Sequence, residues 1–159
     1  MTIAENLVRS LSGKKMTCAL AESCTGGGIG DAITSVPGAS EVFWGGVISY
    51  DNSVKRDVLG VPEDVLLGYG AVSPQCAAAM AEGARRLLKT DLALSVTGIA
   101  GPGGGSAEKP VGLVWFGLSS ASGTITEKVV FEGDREAIRA SAVRHAIGML
   151  LDSVENRQS

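Results

Sequence analysis

The chain has 159 residues, 45% of them apolar but only 4% aromatic, with a net charge of −3. This is enough chain for one domain with a real core built mainly from Ala, Val, Leu and Ile, and the acidic balance argues against general nucleic-acid binding through a basic surface. No apolar run reaches membrane-spanning length and no signal-peptide pattern opens the chain, so a cytoplasmic protein is expected. Three cysteines and one histidine, at spacings that suit neither a disulfide framework nor a zinc site, predict a metal-free protein.

Residues 2–11 read as a first helix: Thr2 and Glu5 have capping-box spacing, Ile3, Leu7, Val8 and Leu11 form an apolar stripe, and Gly13 is the expected stop. Residues 16–22 predict a strand and 25–33 a helix rich in glycine. A Pro-Gly turn at residues 36–40 leads into a second strand over 42–50. A short helix over 52–59 carries Lys55 and Arg56. Pro62 suits the first position of the next helix, with Gly68 or Gly70 as its end. Ser73-Pro74 opens another helix that runs to Lys89, and 92–97 form a third strand. The Ala-rich stretch 76–88 suits packing on the sheet or on a second subunit. Residues 98–110 are too rich in glycine for regular structure. Residues 111–119 and 124–131 predict a hairpin around Ser122-Gly123. Asp134 caps a last helix to about Val154, and a polar tail of five residues follows. Alternating strands and helices followed by a hairpin predict an α/β fold, a three-layer α/β/α sandwich with a mixed sheet, in one domain over residues 1–159.

Of the 22 glycines, about twice the usual share, many gather in 26–30 and 98–105, which points to shaped loops. The stretch Ala21-Glu-Ser-Cys-Thr-Gly-Gly-Gly28 puts a hydroxyl and a thiol at the carboxyl end of the first strand, where open α/β sheets bind ligands. The N–H groups of the following helix would point at the same place. Ser49-Tyr-Asp-Asn-Ser-Val-Lys55, Thr97-Gly-Ile-Ala-Gly-Pro102 and Gly133-Asp-Arg135 with Arg139 also bring polar groups to strand ends or loops. A serine nucleophile needs a base. His145 falls midway along the last helix, on the stripe Ile138, Ala142, His145, Met149, and reads as a partly buried structural residue. Lys55 and Lys109 are the candidate bases instead. Cys24 is the rival nucleophile to Ser23, although a buried small side chain is the simpler reading. Ser23 could also merely cap the next helix, a task Thr25 could take over. The two glycine loops lack the spacing of a P-loop or a dinucleotide fingerprint.

The ordered set Ala-Glu-Ser-Cys-Thr-Gly-Gly, Tyr50 with Asn52 and Lys55, Gly70-Ala-Val-Ser73, Gly98-Ile-Ala-Gly-Pro102, Gly104-Gly-Ser106, Lys109-Pro-Val-Gly112 and Gly133-Asp-Arg135 resembles the C-terminal domain family of the competence/damage-inducible protein CinA. The resemblance covers nearly the whole chain. It implies the three-layer fold and, from the stand-alone members of the family, hydrolysis of nicotinamide mononucleotide to nicotinate mononucleotide and ammonia, with no cofactor. In two-domain members this domain follows a molybdopterin-binding-like domain, whose activity is not expected here. The resemblance makes Ser23 the nucleophile, Lys55 the activating base, and Tyr50 and Thr97 polar active-site positions. Gly103 stands where many members have Asp or a similar polar residue, so only a backbone donor is expected there. Substrate-binding positions are Thr25, Gly26 and Gly27 in one loop and Gly98, Gly101 and Gly104 in the other, with the oxyanion held by N–H groups of either. Arg135 and Arg139 lie on one helix face near its start, where the macrodipole disfavours cations. A bound 5′-phosphate, or a plain salt-bridged surface with Asp134 and Glu136, would each account for them. A nucleotide-binding accessory protein without turnover, acting in competence or DNA damage, and another amidase or esterase using the same serine are the alternatives. No direct nucleic-acid or membrane contact is expected, and a homo-oligomer is allowed.

Overall fold

The structure is a computed structural model that describes residues 1–156. Its helices are α1 (Ile3–Lys14), α2 (Gly28–Thr34), α3 (Asn52–Asp57), α4 (Glu63–Gly68), α5 (Pro74–Leu88) and α6 (Arg135–Glu155). Its strands are β1 (Cys18–Glu22), β2 (Phe43–Ile48), β3 (Leu92–Gly98), β4 (Leu113–Ser120) and β5 (Gly123–Val130). They form one mixed sheet in the order β2-β1-β3-β4-β5. The first three strands are parallel, and the β4–β5 hairpin adds the antiparallel edge.

Each sheet face is covered because the central strands are apolar on both sides. Leu20 of β1, Leu92, Leu94 and Val96 of β3, and Val114, Phe116 and Leu118 of β4 pack against Leu7 and Leu11 of α1, Ile29 and Ile33 of α2, and Ile138, Ala142 and Leu150 of α6. On the other face Ala19, Ala21 and Ala93 meet Cys76, Met80 and Ala84 of α5, with Leu59 and Val61. That second layer is built of small residues, which lets α5 lie close to the sheet. At Gly117 a Cβ would collide with the Ala77 carbonyl, and the same carbonyl accepts a hydrogen bond from Ser95 Oγ at 2.5 Å. The low aromatic content is thus matched to a close helix–sheet contact rather than to a weak core.

Most element ends fall where the sequence puts them, for identifiable reasons. Thr2 and Glu5 form the capping box of α1. Ser73 caps α5 with Pro74 in its first turn, and Asp134 caps α6 through Ala137 N–H. Three expectations need correction. Gly13 does not stop α1, which runs on to Lys14 and is closed by Lys15 in the left-handed region (φ 54°). Pro62 is the N-cap of α4 rather than its first helical residue. The helix expected from residue 25 begins only at Gly28, after a turn through Gly26 (φ 59°) and Gly27 (φ 101°). A side chain at Gly27 would be strained there and would also press on Ile48 at 3.1 Å. Of the expected polar tail, Glu155 closes α6, Asn156 is its C-cap, and residues 157–159 lie outside those described.

The topology places a crevice. The chain leaves β1 toward α2 on one face of the sheet, and leaves the adjacent β2 toward α3 and α5 on the other. Adjacent parallel strands whose outgoing connections part in this way leave a gap at their carboxyl ends, the usual ligand position in open α/β sheets.

Candidate active site

The end of β1 is held from both sides. Ser23 N–H donates to Val96 O (3.0 Å), and Ser49 N–H donates to Glu22 O (2.7 Å), so the β3 and β2 ladders both reach the nucleophile position. Ser23 is nearly buried, with 8% of its surface exposed. Across the β1–β2 gap stands Lys55 on α3, a helix started by Asp51, whose carboxylate accepts from Ser53 N–H at 3.0 Å. These bonds from Ser53 hold the Asp51 carboxyl below its ordinary range.

Lys55 is 1% exposed and the bulkiest fully buried side chain of the fold. Its Nζ lies 2.8 Å from Ser49 O, 3.2 Å from Tyr50 O and 3.1 Å from Ser23 Oγ. Burial lowers its pKa, only partly countered by Cys76, Asp51 and Cys24. A neutral amine has two N–H groups and one lone pair. With the two carbonyls accepting the two hydrogens, the lone pair faces Ser23 Oγ. The arrangement is that of a serine with a poised base. Lys109, the other lysine considered, donates instead to Tyr69 O at 2.6 Å.

The turn after Ser23 is organised by a residue to which the sequence reading assigned no role. Glu22, 3% exposed, accepts from Thr25 Oγ1 (2.6 Å), Ile29 N–H (2.9 Å) and Gly30 N–H (3.0 Å). It therefore does the capping expected of Ser23 or Thr25, and the first N–H groups of α2 are not free for a ligand. The Thr25 hydroxyl, 1% exposed, points into the protein and not into the crevice, so only its backbone is placed to meet a substrate. Within the turn, Gly26 N–H and Gly28 N–H donate to Ser23 O and Thr25 O. Among the described residues, the N–H groups of Cys24, Thr25 and Gly27 donate to no other backbone carbonyl. A buried polar residue directly at a strand end, followed by a helix start without a Ser, Thr, Asp or Asn cap, was the available signal for Glu22.

Cys24 is buried, and burial pushes its thiol up to about 11 despite Arg139 and Lys55 nearby. Cys76 is likewise raised to about 11 and Cys18 to about 12. None is a thiolate at neutral pH, and Ser23 is the better-placed nucleophile. Among the described residues no three His, Cys, Asp or Glu side chains converge as a metal site would require.

Both arginines at the start of α6 are used for bracing. Arg139 donates through Nε to Cys24 O (3.1 Å) and through its Nη2 to Thr25 O (3.1 Å). Arg135 donates to Gly101 O (2.8 Å) and to Tyr50 Oη (3.2 Å). Neither pairs with Asp134 or Glu136 among the described residues, so the salt-bridged surface is not what the structure has. Tyr50 is 61% exposed: its carbonyl helps hold Lys55 while its ring stands at the crevice mouth. Thr97 is buried and donates to Ala71 O (2.9 Å), tying β3 to the segment before α5. Gly98 closes β3 against Val114, and Gly101 (φ 77°) and Gly104 (φ 87°) turn the loop that follows. The loop from 98 to 112 is anchored by Ile99 N–H to Leu113 O and Gly112 N–H to Ile99 O. On its α5 side lies a cavity of about 430 Å³ lined by Tyr69, Ser73, Lys109, Trp115 and Lys128, which neither Ser23 nor Lys55 enters.

His145 is partly buried, as its stripe suggests. It bonds Glu127 at 3.0 Å and packs on Phe116 and Phe131, away from Ser23.

Fold and site together describe an α/β protein with a buried serine–lysine pair at the switch of its parallel strands. Residues 1–154 match the CinA C-terminal domain model, and the chain belongs to that family. It is 44% identical over 156 residues to a CinA-like protein of Pseudothermotoga lettingae, which covers 98% of this chain but only 38% of that protein. A CinA-like protein of Synechococcus is 60% identical over 114 residues, 72% of this chain and 27% of the other. The chain thus spans less than two-fifths of the length of these curated relatives. Among solved structures it is similar to the competence/damage inducible protein CihA of Agrobacterium tumefaciens, with 40% identity, 98% of each chain covered and a TM-score of 0.90. It is also similar to the competence damage-inducible protein A (ComA) of Klebsiella pneumoniae, with 33% identity, 98% and 97% covered and a TM-score of 0.94. No helix among the described residues is long and apolar enough to cross a membrane.

Proposed function

We propose that the protein is an amidohydrolase that converts nicotinamide mononucleotide to nicotinate mononucleotide and ammonia. The observation that carries the reaction type is the buried Lys55 amine, with two carbonyls on its hydrogens and Ser23 Oγ at 3.1 Å. The substrate comes from the family resemblance. In this reading Ser23 Oγ attacks the carboxamide carbon while its proton passes to Lys55. The oxyanion forms against the N–H groups of the turn from Cys24 to Gly27, braced by Arg139 from outside. Lys55 returns its proton to the leaving nitrogen, the C–N bond breaks and ammonia departs. Water then attacks the acyl ester, gives its proton to Lys55, and the proton returns to Ser23 as nicotinate mononucleotide leaves. No cofactor or metal takes part.

The 5′-phosphate has to be met by something other than the bonds Arg135 and Arg139 already make, so the loop around Gly101 and Gly104 is the preferred site. The decisive assay is ammonia release from nicotinamide mononucleotide by the purified protein, with mass analysis of the pyridine product. Turnover that Ser23→Ala abolishes supports the reading, and a wild-type protein without turnover overturns it.

A further inference from the structure

Glu22 is a buried carboxylate that the chemistry above leaves without a task. Among the described residues no lysine, arginine or histidine pairs with it. Its bonds come from neutral donors only: one oxygen accepts from Thr25 Oγ1 and Ile29 N–H, and the other from Gly30 N–H. Burying a charge in this way is costly unless its hydrogen bonds are good. A Ser or Asp at the position of Gly27 would cap α2 more cheaply. Glu22 differs from such a cap in one respect. It reaches from the strand end to the helix and grips Thr25 in the middle of the turn between them. The peptide groups around Thr25 are those whose N–H groups lie free beside Ser23.

We infer that Glu22 is a positioning residue, acting through the Thr25 hydroxyl to hold the oxyanion-binding turn in its reactive shape. The inference rests on the serine-amidase reading but not on the identity of the substrate. Donors of this kind count mainly in the transition state, so their displacement lowers kcat and leaves KM nearly alone. A misplacement near 1 Å can cost about a hundredfold in rate.

The test compares Thr25→Val, Thr25→Ser and Glu22→Gln. Valine keeps the shape of threonine without the donor, serine keeps the donor, and glutamine would set an amide N–H against Gly30 N–H. Turnover of nicotinamide mononucleotide is measured together with the rate at which a fluorophosphonate labels Ser23, since its phosphoryl oxygen occupies the oxyanion position. Thr25→Val is expected to lose about tenfold or more in both rates, with KM within about threefold of wild type, whereas Thr25→Ser retains most of both. Glu22→Gln is expected to lose about a hundredfold, and the double variant Glu22→Gln/Thr25→Val no more than that, because the two side chains act as one unit. The pH limb set by Lys55 should not move in any of them. A Thr25→Val protein as fast as wild type overturns the inference. So does one with raised KM and intact kcat, which would make Thr25 a substrate contact, and so do losses that multiply in the double variant. If Glu22→Gln fails to fold, the valine and serine variants decide alone. A wild-type protein that is labelled at Ser23 but leaves the mononucleotide intact refutes the proposed substrate while the labelling rates still test the turn.

Discussion

Replacing Lys55 with methionine removes the amine and keeps most of the side-chain volume. If Lys55 is the base, the loss should match that of a general acid–base group, about 10² to 10⁴ in kcat/KM. At about 1.36 kcal/mol per decade, this is roughly 3 to 5 kcal/mol of transition-state stabilisation. The wild-type rate should also rise with pH, with unit slope on a logarithmic plot, until Lys55 is neutral. That midpoint falls below 10.5, the ordinary lysine value, because burial disfavours the cation. The same shift appears in stability. Between the folded and unfolded pKa values of Lys55 the unfolded chain binds more protons, so wild-type stability rises with pH across that window. The stabilisation is full above the unfolded value and is lost as pH falls through the folded one. Methionine does not titrate, so its advantage in Tm over the wild type should grow as pH drops through the window. Each pKa unit of depression contributes about 1.4 kcal/mol to that change. Steady-state kinetics and thermal unfolding from neutral pH upward measure both effects on the same two proteins. A Lys55→Met enzyme within tenfold of wild type, or one that keeps the alkaline rise in rate, would refute the assignment of Lys55 as base.

Ser23→Ala should lower the rate of ammonia release by at least about a hundredfold, whereas Cys24→Ser should stay within a fewfold of wild type, because the thiol is buried and held up near 11. The opposite pattern would move the chemistry to Cys24. Arg139→Ala removes two bonds to the turn carbonyls and should lower kcat for nicotinamide riboside and for the mononucleotide alike, whereas a loss confined to the mononucleotide would make Arg139 a phosphate ligand. Prolonged incubation with EDTA should leave the rate unchanged, and loss restored by a divalent ion would contradict the metal-free mechanism. Phe116→Ala should destabilise the fold by about 3 to 5 kcal/mol in urea unfolding, as expected for a large core truncation, since its ring is fully buried beneath His145.

What could be read in the chain was whatever depends on neighbours in sequence. Thr2 with Glu5, Ser73 with Pro74, and Asp134 each announce a helix start within four residues, and the helices begin there. The alternation of the first 97 residues and the hairpin around Ser122 were enough to give a mixed sheet between helical layers. Interactions spanning many residues left weaker traces. That Lys55 faces Ser23 across 32 positions depends on β1 and β2 being neighbours, which periodicity alone does not dictate. The arginines were legible as cations in an unfavourable place near a helix N-terminus, but what satisfies them was not. Their partners are the backbone carbonyls of Cys24, Thr25 and Gly101, more than thirty residues away, and a carbonyl carries no signature in sequence.

The same reasoning explains why the glycine-rich turn was read correctly as a site and wrongly as a helix start. Three consecutive glycines allow the left-handed steps at Gly26 and Gly27, and those steps delay α2 until Gly28. The delay removes the helix N-terminus from the crevice, and Glu22 then occupies it from behind. What faces Ser23 is therefore a short run of turn amides rather than the end of a helix. Such a run has no macrodipole to fall back on, and a helix of two turns would supply little. Its usefulness to an oxyanion depends on how rigidly the peptide planes are held. Two charged groups meet that requirement from opposite sides, the Glu22 carboxylate from the interior and the Arg139 guanidinium from α6. Both spend their hydrogen bonds on the turn itself, so the charges nearest the nucleophile fix its geometry, and the one charge free to change during the reaction is that of Lys55.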